Sequence, residues 1–118
     1  MEYWMIFVFG SNLAGRHEKG AALHAVTYHG AIKGKGSGRQ GQSWAIPTKT
    51  AQLRPLPLST IEQYVMQFLT YAKASPNLDF ALTPVGTGYA KHSKKDIAGL
   101  FRKHGLPANV YLTSTWLD

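Results

Sequence analysis

The sequence predicts a compact three-layer α/β domain, with a mostly parallel or mixed sheet flanked by helices. Three observations carry that reading. Short runs rich in β-branched and aromatic residues alternate with segments of helical apolar spacing, the pattern of strands joined by helical crossovers. The first run, Trp4-Met5-Ile6-Phe7-Val8-Phe9, shows no polar alternation and so reads as a strand covered on both faces. The 118 residues suffice for one apolar core, so residues 1–118 are read as a single domain.

The elements follow in order. Gly10 closes the first strand, and Gly20 to Tyr28 reads as a short helix with an apolar stripe of Ala22, Leu23, Ala25 and Val26. Gly30 to Gly41 holds five glycines in twelve residues, interleaved with Lys33, Lys35 and Arg39, and reads as a loop. Ser43 to Ile46 is a second strand stopped by Pro47, and the proline-bearing Gln52 to Leu58 is a connector. Ser59 and Glu62 have the spacing of a capping box ahead of Ile61, Val65, Phe68, Leu69 and Ala72, so a helix begins there and ends at Ser75-Pro76-Asn77. Phe80-Ala81-Leu82 leads into the glycine loop Pro84 to Gly88. Ser93 and Asp96 form a second box before a helix with Ile97, Leu100 and Phe101 inward, and Asn109 to Leu112 is the last strand. The predicted order is β-α-loop-β-α-β-α-β, with right-handed crossovers.

Composition narrows the chemistry. Thirteen Lys and Arg against six Asp and Glu leave a formal charge of +7, which calls for an anionic partner. The absence of cysteine excludes disulfide scaffolds, thiol nucleophiles and thiolate metal sites. The five histidines show no metal-ligand spacing, so no metal and no cofactor is expected. The longest apolar run is too short to span a bilayer, and Met1-Glu2-Tyr3 lacks the basic start of a signal peptide, so no membrane partner and a cytoplasmic protein are expected.

In open α/β sheets ligands bind beyond the carboxyl ends of the strands. Gly10 to Gly20, Pro47 to Lys49 and Pro84 to Lys91 fall there, two of them glycine-rich and one carrying a lysine. Glycines let backbone N–H groups approach an anion, and a following helix N-terminus adds favourable field. Two standard phosphate motifs fail on inspection. Gly15 to Gly20 has P-loop glycine spacing, but Ala21-Ala22 replaces the Lys-Ser/Thr pair. Gly36 to Gly41 matches G-x-G-x-x-G but precedes a strand instead of opening a helix.

Gly10-Ser11-Asn12-Leu13 followed by Lys19-Gly20-Ala21-Ala22-Leu23 resembles the first ligand loop of macro domains, the ADP-ribose-binding α/β modules. Ile46-Pro47-Thr48-Lys49 is similar to the segment in which the DNA- and glutamate-directed macro hydrolases use a lysine, and Pro84-Val85-Gly86-Thr87-Gly88 is similar to the family's diphosphate loop. The three matches keep the family's order over nearly the whole chain, in a trimmed form. The resemblance implies that Asn12 sits by the distal ribose with Gly20 to Ala22 beside it. It implies that Val85, Gly86, Thr87, Gly88 and Tyr89 wrap the diphosphate, and that Gly10, Ser11, Leu13, Pro47 and Thr48 complete the site. Lys49, with Asn12, would then carry catalysis as an ADP-ribosyl glycohydrolase, its neutral amine attacking the anomeric carbon. Ala90 and Lys91 stand where some lysine-using enzymes place an aspartate.

Other readings stay open. A non-catalytic binder that sequesters or senses an ADP-ribose-derived signal, in a bacterial or phage defence setting, has the same fold and pocket. A small nucleic-acid-binding protein accounts for the charge, with the basic loop 30–41 as its contact surface, although no nucleic-acid-binding motif is visible. Asn12 also suits a turn that satisfies its own backbone, Lys49 a solvated loop, and Tyr89 a cover for the sheet edge. Trp4, Trp44 and Trp116 read as core or edge anchors.

Overall fold

The computed structural model describes residues 4–118; Met1 to Tyr3, the segment that bears on a signal peptide, lies outside them. The elements are β1 (Ile6–Asn12), α1 (Gly20–Tyr28), β2 (Gly38–Gln40), β3 (Ser43–Lys49), α2 (Leu58–Ala74), β4 (Phe80–Leu82), α3 (Lys94–His104) and β5 (Val110–Leu112), then a 3-10 turn at Ser114–Leu117. They build a mixed five-stranded sheet in the order β2-β3-β1-β4-β5. β1 pairs in parallel with β3 and β4, β4 in parallel with β5, and β2 antiparallel with β3. β1 is central, which explains its nearly unbroken apolar run.

Alternation along β1 divides the core between the two faces. Ile6 and Val8 face α2 and α3, where Ile61, Val65, Phe68, Ile97 and Phe101 complete the larger cluster. Each such side chain contributes roughly 1.5–3 kcal/mol on burial. Phe9 and Ala45 face α1, which meets them with buried Ala22 and Ala25 and half-buried Val26. Small residues let this nine-residue helix lie close to β1 and β3, but it covers little else. Phe7, Ala81 and Tyr111 share a register row on the same face, and Tyr111 at its far end is exposed. The three layers are therefore unequal, and the thinner one leaves room for a cleft.

The structure corrects the predicted elements in four places. β1 begins at Ile6, leaves Trp4 exposed, and runs through Gly10 to Asn12. Gly10 does not end the strand; a Cβ there would lie 3.2 Å from the Gly86 nitrogen, so the glycine admits the glycine loop that follows β4. Pro47 does not stop β3, because the ladder is irregular there: Ser11 faces Pro47 while Asn12 faces Lys49, leaving Thr48 as the extra residue of a bulge. Bulges are among the few places where a strand accepts proline.

The stretch 30–41 is not wholly loop, since it contains β2. Its organiser is the buried Gln40, whose Oε1 accepts from the Ile32 N–H at 2.8 Å and whose Nε2 donates to Lys35 O at 2.9 Å. The Ser59–Glu62 box does not form: α2 starts at Leu58 behind Pro57, with no side-chain cap. Glu62 instead meets His104 Nε2 at 2.6 Å and Lys103 Nζ at 3.0 Å. The hydrogen bond from His104, and then that from Lys103, hold its carboxyl below the usual carboxylate range. Of the Ser93–Asp96 box the N-cap half forms, with Ser93 Oγ accepting from the Asp96 N–H at 3.0 Å.

Candidate functional site

A cleft of about 930 Å³ opens at the carboxyl ends of the parallel strands. One wall is the segment between β1 and α1, shaped by Asn12. The amide of Asn12 is 2% exposed; its Nδ2 donates to Arg16 O at 3.0 Å and its Oδ1 accepts from the Arg16 N–H at 2.9 Å. This two-point brace arches residues 13–16, and Gly15 N–H closes the turn on Asn12 O at 3.0 Å.

The arch rests on the stretch 30–41. Ser11 Oγ donates to Gly36 O, Gly34 N–H to Gly15 O at 2.9 Å, and buried His17 Nε2 to Lys35 O at 2.9 Å. A carbonyl only accepts, so His17 carries its proton on Nε2. The basic stretch is thus a buttress for the segment between β1 and α1. Two of its three cations are engaged internally: Arg39 donates to Gly41 O, Gln42 Oε1 and the Tyr71 hydroxyl, and Lys35 Nζ to Arg39 O.

α1 begins at the same wall. Its N-cap, Lys19, is extended and offers no side-chain cap, and its first turn holds no acidic residue. The first N–H groups of a helix have no intrahelical acceptor, so those of Gly20, Ala21 and Ala22 are available where these residues line the cleft. The second wall is the loop after β4. Thr87 Oγ1 donates to Pro84 O at 2.7 Å and Gly86 O accepts from His92 N–H at 2.9 Å, which ties the loop down. Among the described residues, the N–H groups of Gly86, Gly88 and Tyr89 meet no acceptor.

Lys49 emerges past the bulge at the end of β3. Its Nζ lies 5.2 Å from the centroid of the Tyr89 ring, bridging the cleft from β3 to the second loop. Burial, and after it the charge of Lys19, lower its pKa below that of an ordinary lysine.

Of the residues expected at the site, the structure brings Gly10, Ser11, Asn12, Gly20, Ala21, Ala22, Thr48, Lys49, Val85, Gly86, Gly88 and Tyr89 to the lining. Leu13, Pro47 and Thr87 are not in it. Leu13 is half-exposed with its N–H tied to Lys49 O, Pro47 is buried within β3, and the Thr87 hydroxyl is turned onto Pro84. Sequence reasoning missed Arg16, Glu18 and Lys19, which their place inside the first loop could have signalled. It also missed Phe7, His24, Leu53 and Thr113 to Thr115. Leu53 adopts φ +65°, a left-handed conformation unusual for leucine, in a turn closed by Thr50. Thr113 to Thr115 arrive from the far edge of the sheet, placed by the strand order alone.

Among the described residues no group of three or more His, Cys, Asp or Glu is placed to hold a metal ion, and no helix is long and apolar enough to cross a membrane. Comparison with protein families, curated proteins and solved structures returned no match.

Proposed function

We propose that this chain is a minimal macro-like domain of the cytoplasm that binds ADP-ribose, or protein or nucleic acid carrying it, and releases the sugar through Lys49. The observation that carries the reading is the pairing of an amine of lowered pKa with walls made of unpartnered backbone N–H groups. Such walls suit a diphosphate, whose charge they meet without flexible side chains. A sugar attached to a diphosphate held there would extend toward Lys49, which lines the same cleft. In the neutral form its Nζ bonds to the anomeric carbon, the bond to the acceptor atom breaks, and the proton shed by Nζ goes to that acceptor.

Calorimetry with ADP-ribose tests the binding. Wild type should give heat and Gly86→Glu none, because a Cβ there lies 3.3 Å from Ile97 Cδ1 and Thr48 Cγ2 at a φ of +76°, so the loop that carries the free N–H groups must shift. Silence from wild type with ADP-ribose and its derivatives would sink the reading. Lys49→Ala should cut release from ADP-ribosylated peptide or DNA by at least about 10³-fold while ligand still binds. Unchanged turnover would remove Lys49 from the mechanism.

A second reading is favoured by one observation: Ala90 lines the cleft where a hydrolase could carry a carboxylate. A non-catalytic binder or sensor would return the bound nucleotide chemically unchanged.

A further inference from the structure

The 30–41 stretch, with two of its three cations engaged internally, leaves most of the positive charge without a task. A denser group lies on and just ahead of α3. Residues 91–104 hold five of the thirteen basic residues, Lys91, Lys94, Lys95, Arg102 and Lys103, against one acid, Asp96. α3 buries Ile97 and Phe101 in the larger core cluster. Lys95, Gly99 and Arg102 then fall on the opposite side, at i, i+4 and i+7 along one row of the outer face. Lys94 and Lys103 flank that row and are held in place: Lys94 Nζ donates to Thr115 O at 2.9 Å, and Lys103 Nζ meets Glu62 at 3.0 Å. Lys95 and Arg102 are exposed, and their side chains have no hydrogen bond or ion pair among the described residues. Gly99 leaves the backbone bare between them. Its φ is not positive and a Cβ there would meet nothing within 4 Å, so neither the backbone nor the packing asks for glycine, which weakens a helix interior.

We infer that the outer face of α3 binds the phosphate backbone of nucleic acid without reading its sequence. This surface goes beyond the cleft and does not rest on the reaction proposed there. A rise of 1.5 Å per residue puts Lys95 and Arg102 about 10 Å apart along the axis, the length of about three phosphates of one strand. Two unpaired cations at that separation suit a repeated anion better than a single one, and the bare helix between them lets a strand approach. Lys91, also exposed, directly follows Ala90 of the cleft lining, so the basic face begins at the rim of the cleft. A lipid surface would need an apolar helix face to insert, whereas α3 keeps Ile97 and Phe101 in the core.

The test is fluorescence anisotropy of a labelled DNA duplex of arbitrary sequence, titrated with the full chain at about 0.05 to 0.2 M salt, with anionic vesicles and an acidic peptide as parallel probes. Wild type should bind the duplex, and log K against log salt should fall with a slope of about −3, for about three phosphates neutralised. Lys95→Gln with Arg102→Gln should weaken binding by at least about 10-fold and flatten that slope by nearly 2. Gly99→Glu should abolish binding, because the new carboxylate pairs with Lys95 and Arg102 at helical spacing. Its Tm should not fall, since glutamate is the better helix former, so a lost signal there is not a lost fold. Gly99→Ala and Lys33→Gln should both bind as wild type does. No binding of the duplex at the lowest salt, or undiminished binding in the double variant, overturns the inference. So does a larger loss in Lys33→Gln than in the double variant, or capture of the vesicles or the peptide but not of the duplex. Silent calorimetry with ADP-ribose bears on the cleft alone and leaves this surface standing.

Discussion

Lys49 is subject to influences of opposite sign. The face of the Tyr89 ring at 5.2 Å favours the ammonium, whereas burial and the nearby Lys19 charge favour the free amine, and the net effect lowers the pKa. Lys19 is the influence that mutation can isolate. In Lys19→Ala the like charge disappears, so the pKa of Lys49 moves up toward 10.5 and less of the amine is neutral at any given pH. The rising limb of kcat against pH should shift to higher pH in this variant. Because kcat is read at saturation, weaker attraction of the diphosphate does not obscure the shift. An unmoved limb would assign the depression to burial alone. At this scale the sequence marks the right residues more readily than it marks their tasks. Asn12 is legible from its place after a strand and glycine, but the structure gives both ends of its amide to the Arg16 backbone. Which partner an amide chooses depends on loop geometry that no short motif encodes.

Elements were legible where burial wrote an apolar pattern. β1, β3, β4, β5 and all three helices follow from apolar runs or stripes, within two or three residues at their ends. β2 was not legible, because Gly38-Arg39-Gln40 has no apolar alternation and is held by the Gln40 amide. The Ser59–Glu62 spacing misled for a related reason: His104, forty-two residues away, is the partner that Glu62 meets. The glycines of the 30–41 stretch read as those of a loop and are partly close packing. A Cβ on Gly36 would lie 2.1 Å from Asn12 O, whereas one on Gly20 meets nothing within 4 Å and costs only its φ of +58°. Gly20→Ala should therefore destabilise the fold by about 1–2 kcal/mol, the cost of a left-handed alanine. Gly36→Ala must push the buttress off the ligand loop, so it should weaken ADP-ribose binding as well as lower Tm. Denaturation paired with calorimetry separates the two. Equal losses in both variants, with binding intact in each, would show that the 30–41 stretch does not support the site.

Over the whole molecule the +7 charge and the cleft are separate features. The cleft offers backbone N–H groups, while most cations lie elsewhere, and within 30–41 only Lys33 among the three is without an internal hydrogen bond. Charge of this kind acts at long range: it speeds encounter with an anion and is screened over about 8–10 Å at ordinary salt. Raising salt from about 0.05 to 0.3 M, well past that screening range, should slow association of ADP-ribose several-fold and leave its dissociation rate nearly unchanged. Binding to unrelated DNA, if the surface supports it, should instead collapse in equilibrium affinity, because each neutralised phosphate releases counterions. Gly86→Glu divides the two cases, since it displaces the loop after β4 and leaves the basic residues of 30–41 in place. Loss of ADP-ribose binding with DNA binding retained would place the nucleic acid outside the cleft. Loss of both would join them, and the charge would then belong to the site and not to its approach.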